Sequence, residues 1–165
     1  MSGITGPATD SHELALVAGV CGLAVGHWHL CLSEWAGAGA PQMTVAALLL
    51  AMMVCLEAEG EPFQGQVGVA YVAVNRSVQW GQPLTQVLMA PRQFGGWRRV
   101  AHLEHLDPQS WHACQQAAQV AMARSHPDPS RGAVHFLSDR DLQHPPTWVK
   151  RVRITTKIGR HTFFR

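Results

Sequence analysis

The chain has 165 residues and a formal charge of +2; 47% of its residues are hydrophobic and 15% charged. That length admits one domain with a proper core, and so apolar a composition excludes global disorder. The net charge is too small to argue for a nucleic-acid partner, but it is unevenly spread: acids cluster at 57–61, while Lys150, Arg151, Arg153, Lys157, Arg160 and Arg165 lie near the C-terminus. A basic strand can face an anionic polymer, although a solvated face is its commoner meaning.

Residues 1–42 read as an N-terminal extension. Leu14 to Leu32 is mostly apolar and rich in alanine and glycine, and Ala36 to Ala40 has the small residues of a cleavage region. Against a signal peptide, no lysine or arginine precedes the run and Asp10 and Glu13 do. Against a spanning helix, His27-Trp28-His29 interrupts it. Three readings stand: an export or releasable membrane segment with transient membrane association through residues 14–32, an extra packed helix, or an upstream extension. The first is slightly preferred. Gly37 to Gln42 has linker composition, so the functional domain is expected over residues 43–165.

Thr44 to Leu56 predicts a largely buried helix, and Gly60 followed by Pro62 stops it. Glu57 then lies in the last turn, at the negative end of the helix dipole, where an ionised carboxylate is disfavoured. Met53 and Val54 lie one turn back, and Glu59 and Glu61 add negative charge. Desolvation, dipole and like charges all raise a carboxyl group's proton affinity, and a glutamate protonated near neutral pH suits general-acid chemistry. An acidic loop after a core helix is the competing account.

Pro62 opens a second helix, expected from Phe63 to about Arg76, with Val67, Ala70, Tyr71 and Val74 on its apolar face. Gly65 and Gly68 cost helix propensity, so close packing on the first helix is expected there. A short helix follows Pro83 over Leu84 to Met89, and Pro91 to Trp97 reads as a loop. Asp107-Pro108 has the form of an N-cap and N1 pair, starting a helix to about Arg124. His126 to Gly132 is turn chemistry. Ala133 to Leu137 is a strand candidate. Val152, Ile154, Thr156 and Ile158 alternate with polar residues as in a half-buried strand, and Gly159-Arg160 turns it into a hairpin with Thr162-Phe163-Phe164. Helices followed by a small antiparallel sheet predict an α+β fold.

Cys21, Cys31, Cys55 and Cys114 form no CxxC pair and no zinc-ribbon spacing. Cys55 and Cys114 sit in apolar helical contexts and read as buried thiols. Cys21 or Cys31 could pair with each other, or with Cys55 in a form held inactive until release.

Seven motifs stand in order: Glu57-Ala-Glu-Gly-Glu-Pro62, Gly65-Gln-Val-Gly-Val-Ala70, Val74-Asn-Arg76, Gln93-Phe94, Gly132-Ala-Val-His-Phe136, Pro146-Thr-Trp148 and Ile158-Gly-Arg-His-Thr-Phe-Phe164. Together they resemble the SleB-type cell-wall hydrolases, spore cortex-lytic enzymes also found among bacteriophage lysins, from about Val45 to the C-terminus. The resemblance implies a mostly helical, lysozyme-like domain that cuts peptidoglycan between N-acetylmuramic acid and N-acetylglucosamine. It implies action at the bacterial cell wall or periplasm, by an exported or phage-encoded enzyme. The first glutamate of the family's EARGE block is catalytic, which places that role on Glu57; Glu59 stands where the family has arginine.

Glycosidases normally use two carboxyl groups, and Asp107, Asp128, Asp139 and Asp141 all lie in turn-like contexts. One acid/base suffices if the muramic C6 hydroxyl is the nucleophile, so the resemblance and the missing partner both favour a lytic transglycosylase giving 1,6-anhydro ends. Gln93 and Phe94 lie on a loop where an amide could bind an N-acetyl group and a ring could stack on a sugar; a turn with one buried aromatic is the alternative. Tyr71 could reach Glu57 or be a core tyrosine with a satisfied hydroxyl. The resemblance puts His135, Trp148 and His161 along the cleft; without it they are sheet-packing residues.

No cofactor or metal is expected, and a monomer is. Two rivals remain: a metal-dependent hydrolase using His102, His105 and His112 with Glu104 and Asp107, whose spacing fits no standard zinc site, and a non-catalytic peptidoglycan-binding or phage structural component.

Overall fold

The computed structural model describes residues 43–165, of which Ala46–Arg165 form one compact unit. Cys21, Cys31 and the apolar run at 14–32 lie outside the described residues. Helix α1 (Val45–Ala58) buries nearly every side chain from Leu49 to Leu56. A helix apolar on all sides belongs inside the core. It ends as its sequence dictates: Gly60 takes φ +76°, and the Glu61 amide donates to the Ala58 carbonyl at 3.0 Å. No helix among the described residues is long and apolar enough to cross a membrane.

Helix α2 (Phe63–Trp80) runs one turn beyond the expected end, to a left-handed Gly81, and Pro62 occupies its N-cap rather than its first turn. Its glycines face a different partner from the one expected. A Cβ on Gly68 would lie 2.9 Å from the Phe163 ring and one on Gly65 3.6 Å from Ile158. The bare backbone thus admits the C-terminal hairpin, not α1. Helix α3 (Leu84–Met89) matches its expected span. Gly95 and Gly96, expected in a loop, instead begin an irregular 3-10 segment, Gly95–His105, tied down by a 2.8 Å bond from the Trp97 indole to the Leu88 carbonyl. Helix α4 (Pro108–Ala123) is capped by Asp107, which accepts from the Gln109 and Ser110 amides, and ends at a left-handed Arg124.

Strands β1 (His135–Ser138), β2 (Ile154–Ile158) and β3 (His161–Phe164) form an antiparallel sheet in the order β1-β3-β2. The α+β expectation therefore holds. All four residues of the central strand β3 are buried. The expected alternation fails at Ile154, which is 65% exposed. A register shift between Ile154 and Thr156 breaks the pleat there and turns the isoleucine outward.

The thiol reading of two cysteines is corrected. Cys55 of α1 and Cys114 of α4, both fully buried, form a disulfide with Cα atoms 5.6 Å apart. Their apolar surroundings looked like those of free thiols; the 59-residue separation hides the pairing from any local pattern. Cys55 is therefore not available to Cys21 or Cys31.

Candidate active site

Glu57 lies in the last turn of α1 and lines a cleft of about 290 Å³ shared with Arg99, Ser138, Arg140, Arg160 and His161. The buried body of α1 below it explains why the side chain is only half exposed. Its Oε1 accepts the Gly96 amide at 2.6 Å. Burial pushes the Glu57 carboxyl above its ordinary value; the Gly96 bond and Arg99 pull it down, Asp141 pushes it up, and Arg76 pulls it down, with the upward effect prevailing. The result is a partly desolvated carboxyl group that keeps its proton to higher pH than a free glutamate and has one fixed hydrogen bond ready for its ionised form.

The source of like charge differs from the expected one. Glu59 turns to His102 on the rim. Glu61, 7% exposed, accepts from the Arg160 amide at 2.8 Å and from its guanidinium at 2.6 Å. Burial would raise the Glu61 carboxyl, but these Arg160 bonds outweigh it and hold it below its ordinary value. Both acids are thus engaged elsewhere, and the negative charge acting on Glu57 is Asp141, from across the chain. Asp141 itself accepts from the Ser138 hydroxyl at 2.6 Å.

Two residues with roles not assigned from sequence support Glu57. Arg76, 6% exposed, donates to the Val134 carbonyl at 2.6 Å and the Gln93 carbonyl at 3.2 Å, and its guanidinium stacks 4.8 Å from the Phe94 ring centre. Burial lowers its pKa to about 10, with Glu57 opposing the fall, so it remains a cation behind the acid at neutral pH. Arg99 donates to the Leu56 carbonyl, which anchors a second guanidinium at the end of α1. Arg76 stood in the Val74-Asn75-Arg76 motif, whereas no motif carried Arg99 or Gly96; the partners lie up to 58 residues away and no spacing revealed them.

The other expected site residues divide. His161 lines the Glu57 cleft but is itself 5% exposed, and its Nδ1 lies 3.9 Å from Glu61 without a hydrogen bond. Burial lowers its pKa, with Glu61 opposing, so the ring is held neutral. His135 and Trp148 are half-buried with ring centres 4.7 Å apart, and Trp148 meets Phe164 edge-on at 5.7 Å. These contacts match the sheet-packing account. Phe94 is buried beneath Arg76, 5% exposed, so its ring has no free face for a sugar. Gln93 is half-buried, with its side-chain oxygen 3.4 Å from the Arg76 guanidinium. The Tyr71 hydroxyl donates to the His126 carbonyl at 2.6 Å, which removes it from Glu57. It is the satisfied core tyrosine.

Among the described residues, no three histidine, cysteine, aspartate or glutamate side chains are grouped to hold a metal ion, so His102, His105 and His112 do not converge. Asp107 caps α4, Asp128 accepts from Ser130, Gly132 and Asn75 in the turn before β1, and Asp139 pairs with Lys157 at 2.8 Å.

The profile of the cell wall hydrolase family matches residues 60–164, most of the chain, beginning three residues after Glu57. The protein belongs to that family. Its fold is similar to the catalytic domain of the SleB protein from Bacillus cereus, with 26% identity and a TM-score of 0.59 over 78% of this chain and 100% of that one. The catalytic domain of the germination-specific lytic transglycosylase SleB from Bacillus anthracis shares the fold at 24% identity and a TM-score of 0.58, over 78% and 99% of the two chains. No curated protein matches the sequence significantly.

Proposed function

We propose that this protein cuts the glycan strand of bacterial peptidoglycan between N-acetylmuramic acid and N-acetylglucosamine, with Glu57 as the single acid/base. The observation that carries the reading is the half-buried Glu57 in an open cleft, its proton affinity raised by burial and its Oε1 held by the Gly96 amide. Protonated Glu57 gives its proton to the glycosidic oxygen as the bond to the muramic C1 breaks. The resulting carboxylate takes the proton of the muramic C6 hydroxyl, whose oxygen closes onto C1. The products are a 1,6-anhydromuramic end and a free N-acetylglucosamine hydroxyl, and Glu57 is again protonated. Gly96, Arg99 and Arg76 stabilise the carboxylate formed between the two steps. Family membership supports a cell-wall substrate. Glu59, Glu61 and Asp139 are paired elsewhere, which leaves Glu57 as the one unpaired carboxyl group lining the cleft among the described residues and supports an intramolecular nucleophile over a second carboxylate. The Cys55–Cys114 disulfide suits an oxidising compartment such as the cell envelope, whether the enzyme is exported or phage-encoded.

The test is mass spectrometry of purified sacculi after digestion by the wild type and by Glu57→Gln. The expected result is soluble muropeptides with anhydromuramic ends from the wild type and none from the variant. Reducing muramic ends would refute the intramolecular nucleophile. Full lysis by Glu57→Gln would refute the assignment of the acid, and no lysis by either protein would favour a non-catalytic binding role.

A further inference from the structure

Beyond Arg99, which acts on Glu57, the cleft carries positive charge that the proposed chemistry does not use. Of its three arginines, Arg160 is committed to Glu61. Among the acids, Asp139 is committed to Lys157 and Glu59 to His102. Arg99 and Arg140 are left, and among the described residues neither forms an ion pair with a carboxylate. Arg99 is fixed by its bond to the Leu56 carbonyl, so its remaining donors are positioned without the entropy cost of a free side chain. Arg140 comes from a different segment, between β1 and the 3-10 turn Asp141–Gln143.

Arg140 also lines a second cavity of about 560 Å³ with Leu137, Asp141, Gln143, His144 and Pro146. It is the one residue common to the linings of these two cavities. A polymer lying along both would pass Arg140 as it left the Glu57 cleft. A planar guanidinium there matches a carboxylate in shape and charge.

We propose that Arg99 and Arg140 form a subsite for a carboxylate carried by the substrate, so that the enzyme favours glycan strands whose acidic groups are free over strands in which they are blocked. The inference rests on the glycan-cleavage reading, and it names the class of strand that the same cleft accepts.

The probe is sacculi whose carboxyl groups have been converted to methylamides with carbodiimide and methylamine, compared with untreated sacculi. Wild-type kcat/KM is expected to fall about fivefold on the amidated wall, the size of one exposed ion pair. Arg140→Gln, with thermal unfolding checked against the wild type, is expected to lose a similar factor on untreated walls and nothing further on amidated ones. Equal wild-type rates on both walls, or an Arg140→Gln loss of the same factor on both, would overturn the subsite. Co-sedimentation of Glu57→Gln with the two walls separates the two readings. Weaker binding to the amidated wall supports the subsite even where no cleavage occurs; equal binding to both overturns it even where cleavage is confirmed.

Discussion

Gly96→Ala isolates the contact that holds Glu57. A Cβ at this position would stand 2.7 Å from the Leu56 Cβ, 3.0 Å from Glu57 Oε1 and 3.1 Å from the Leu56 carbonyl carbon. Leu56 belongs to the most buried helix of the fold, so the 3-10 segment must retreat instead, opening the 2.6 Å bond from the Gly96 amide. A hydrogen bond to a charged group contributes about 1.5–3 kcal/mol. This bond strengthens as Glu57 gives up its proton, so its loss falls on the transition state more than on bound substrate. At about 1.4 kcal/mol per factor of ten, kcat should drop about 10- to 100-fold with KM little changed. The pH profile supplies a sign that simple misfolding would not. The Gly96 amide favours the ionised carboxyl, and burial opposes it. Removing the amide raises the Glu57 pKa further, so the limb on which activity falls as Glu57 ionises should move to higher pH while kcat falls. The assay is muropeptide release from sacculi across pH, with Gly95→Ala as control, since a Cβ on Gly95 meets nothing within 4 Å. An unchanged kcat, or a limb displaced to lower pH, would refute the role given to this bond.

Three further outcomes are expected. Cys114→Ala should lower unfolding stability by about 2–4 kcal/mol, because the disulfide closes a long loop in the unfolded chain; an unchanged denaturant midpoint, with the oxidised wild type as reference, would argue against the bridge. The Glu61 carboxyl is held below its ordinary 4.5, so its stabilising effect is full above that pH and is lost as pH falls through the lower folded value. The stability gap between the wild type and Glu61→Gln should therefore narrow in acid; a gap constant with pH would show that the ionised Arg160 pair contributes nothing. Tyr71→Phe should cost about 1 kcal/mol through loss of the bond to the His126 carbonyl and leave kcat unchanged; a kcat loss without a stability loss would return Tyr71 to the site.

What the sequence revealed was local. The stop at Gly60 and Pro62, the Asp107 cap and the span of α3 each depend on a few adjacent residues, and the structure keeps all three. Glu57 was legible for the same reason: its place in the last turn of an apolar helix follows from its immediate neighbours. The failures required contacts between distant segments. Gly68 was matched to the wrong partner because nothing in α2 announces that Phe163 arrives beside it. Phe94 stood between a sugar-stacking ring and a buried aromatic, and only the distant Arg76, whose guanidinium covers it, decides for burial.

The acids around Glu57 show how such distant contacts shape a site. On sequence alone, Glu59 and Glu61 would crowd Glu57, and replacing the family's arginine by Glu59 would deepen the negative field. The fold prevents this by turning Glu59 to His102 and locking Glu61 to Arg160. Arg99, arriving from another segment, places a guanidinium at the end of α1 and acts on Glu57 directly. Glu57 is left as a carboxyl group of this cleft whose pKa is raised, and the only one lining it without an ion pair among the described residues. With one unpaired carboxyl group in the cleft, the proposed reaction draws its nucleophile from the substrate and closes a ring, and anhydromuramic rather than reducing ends are its signature.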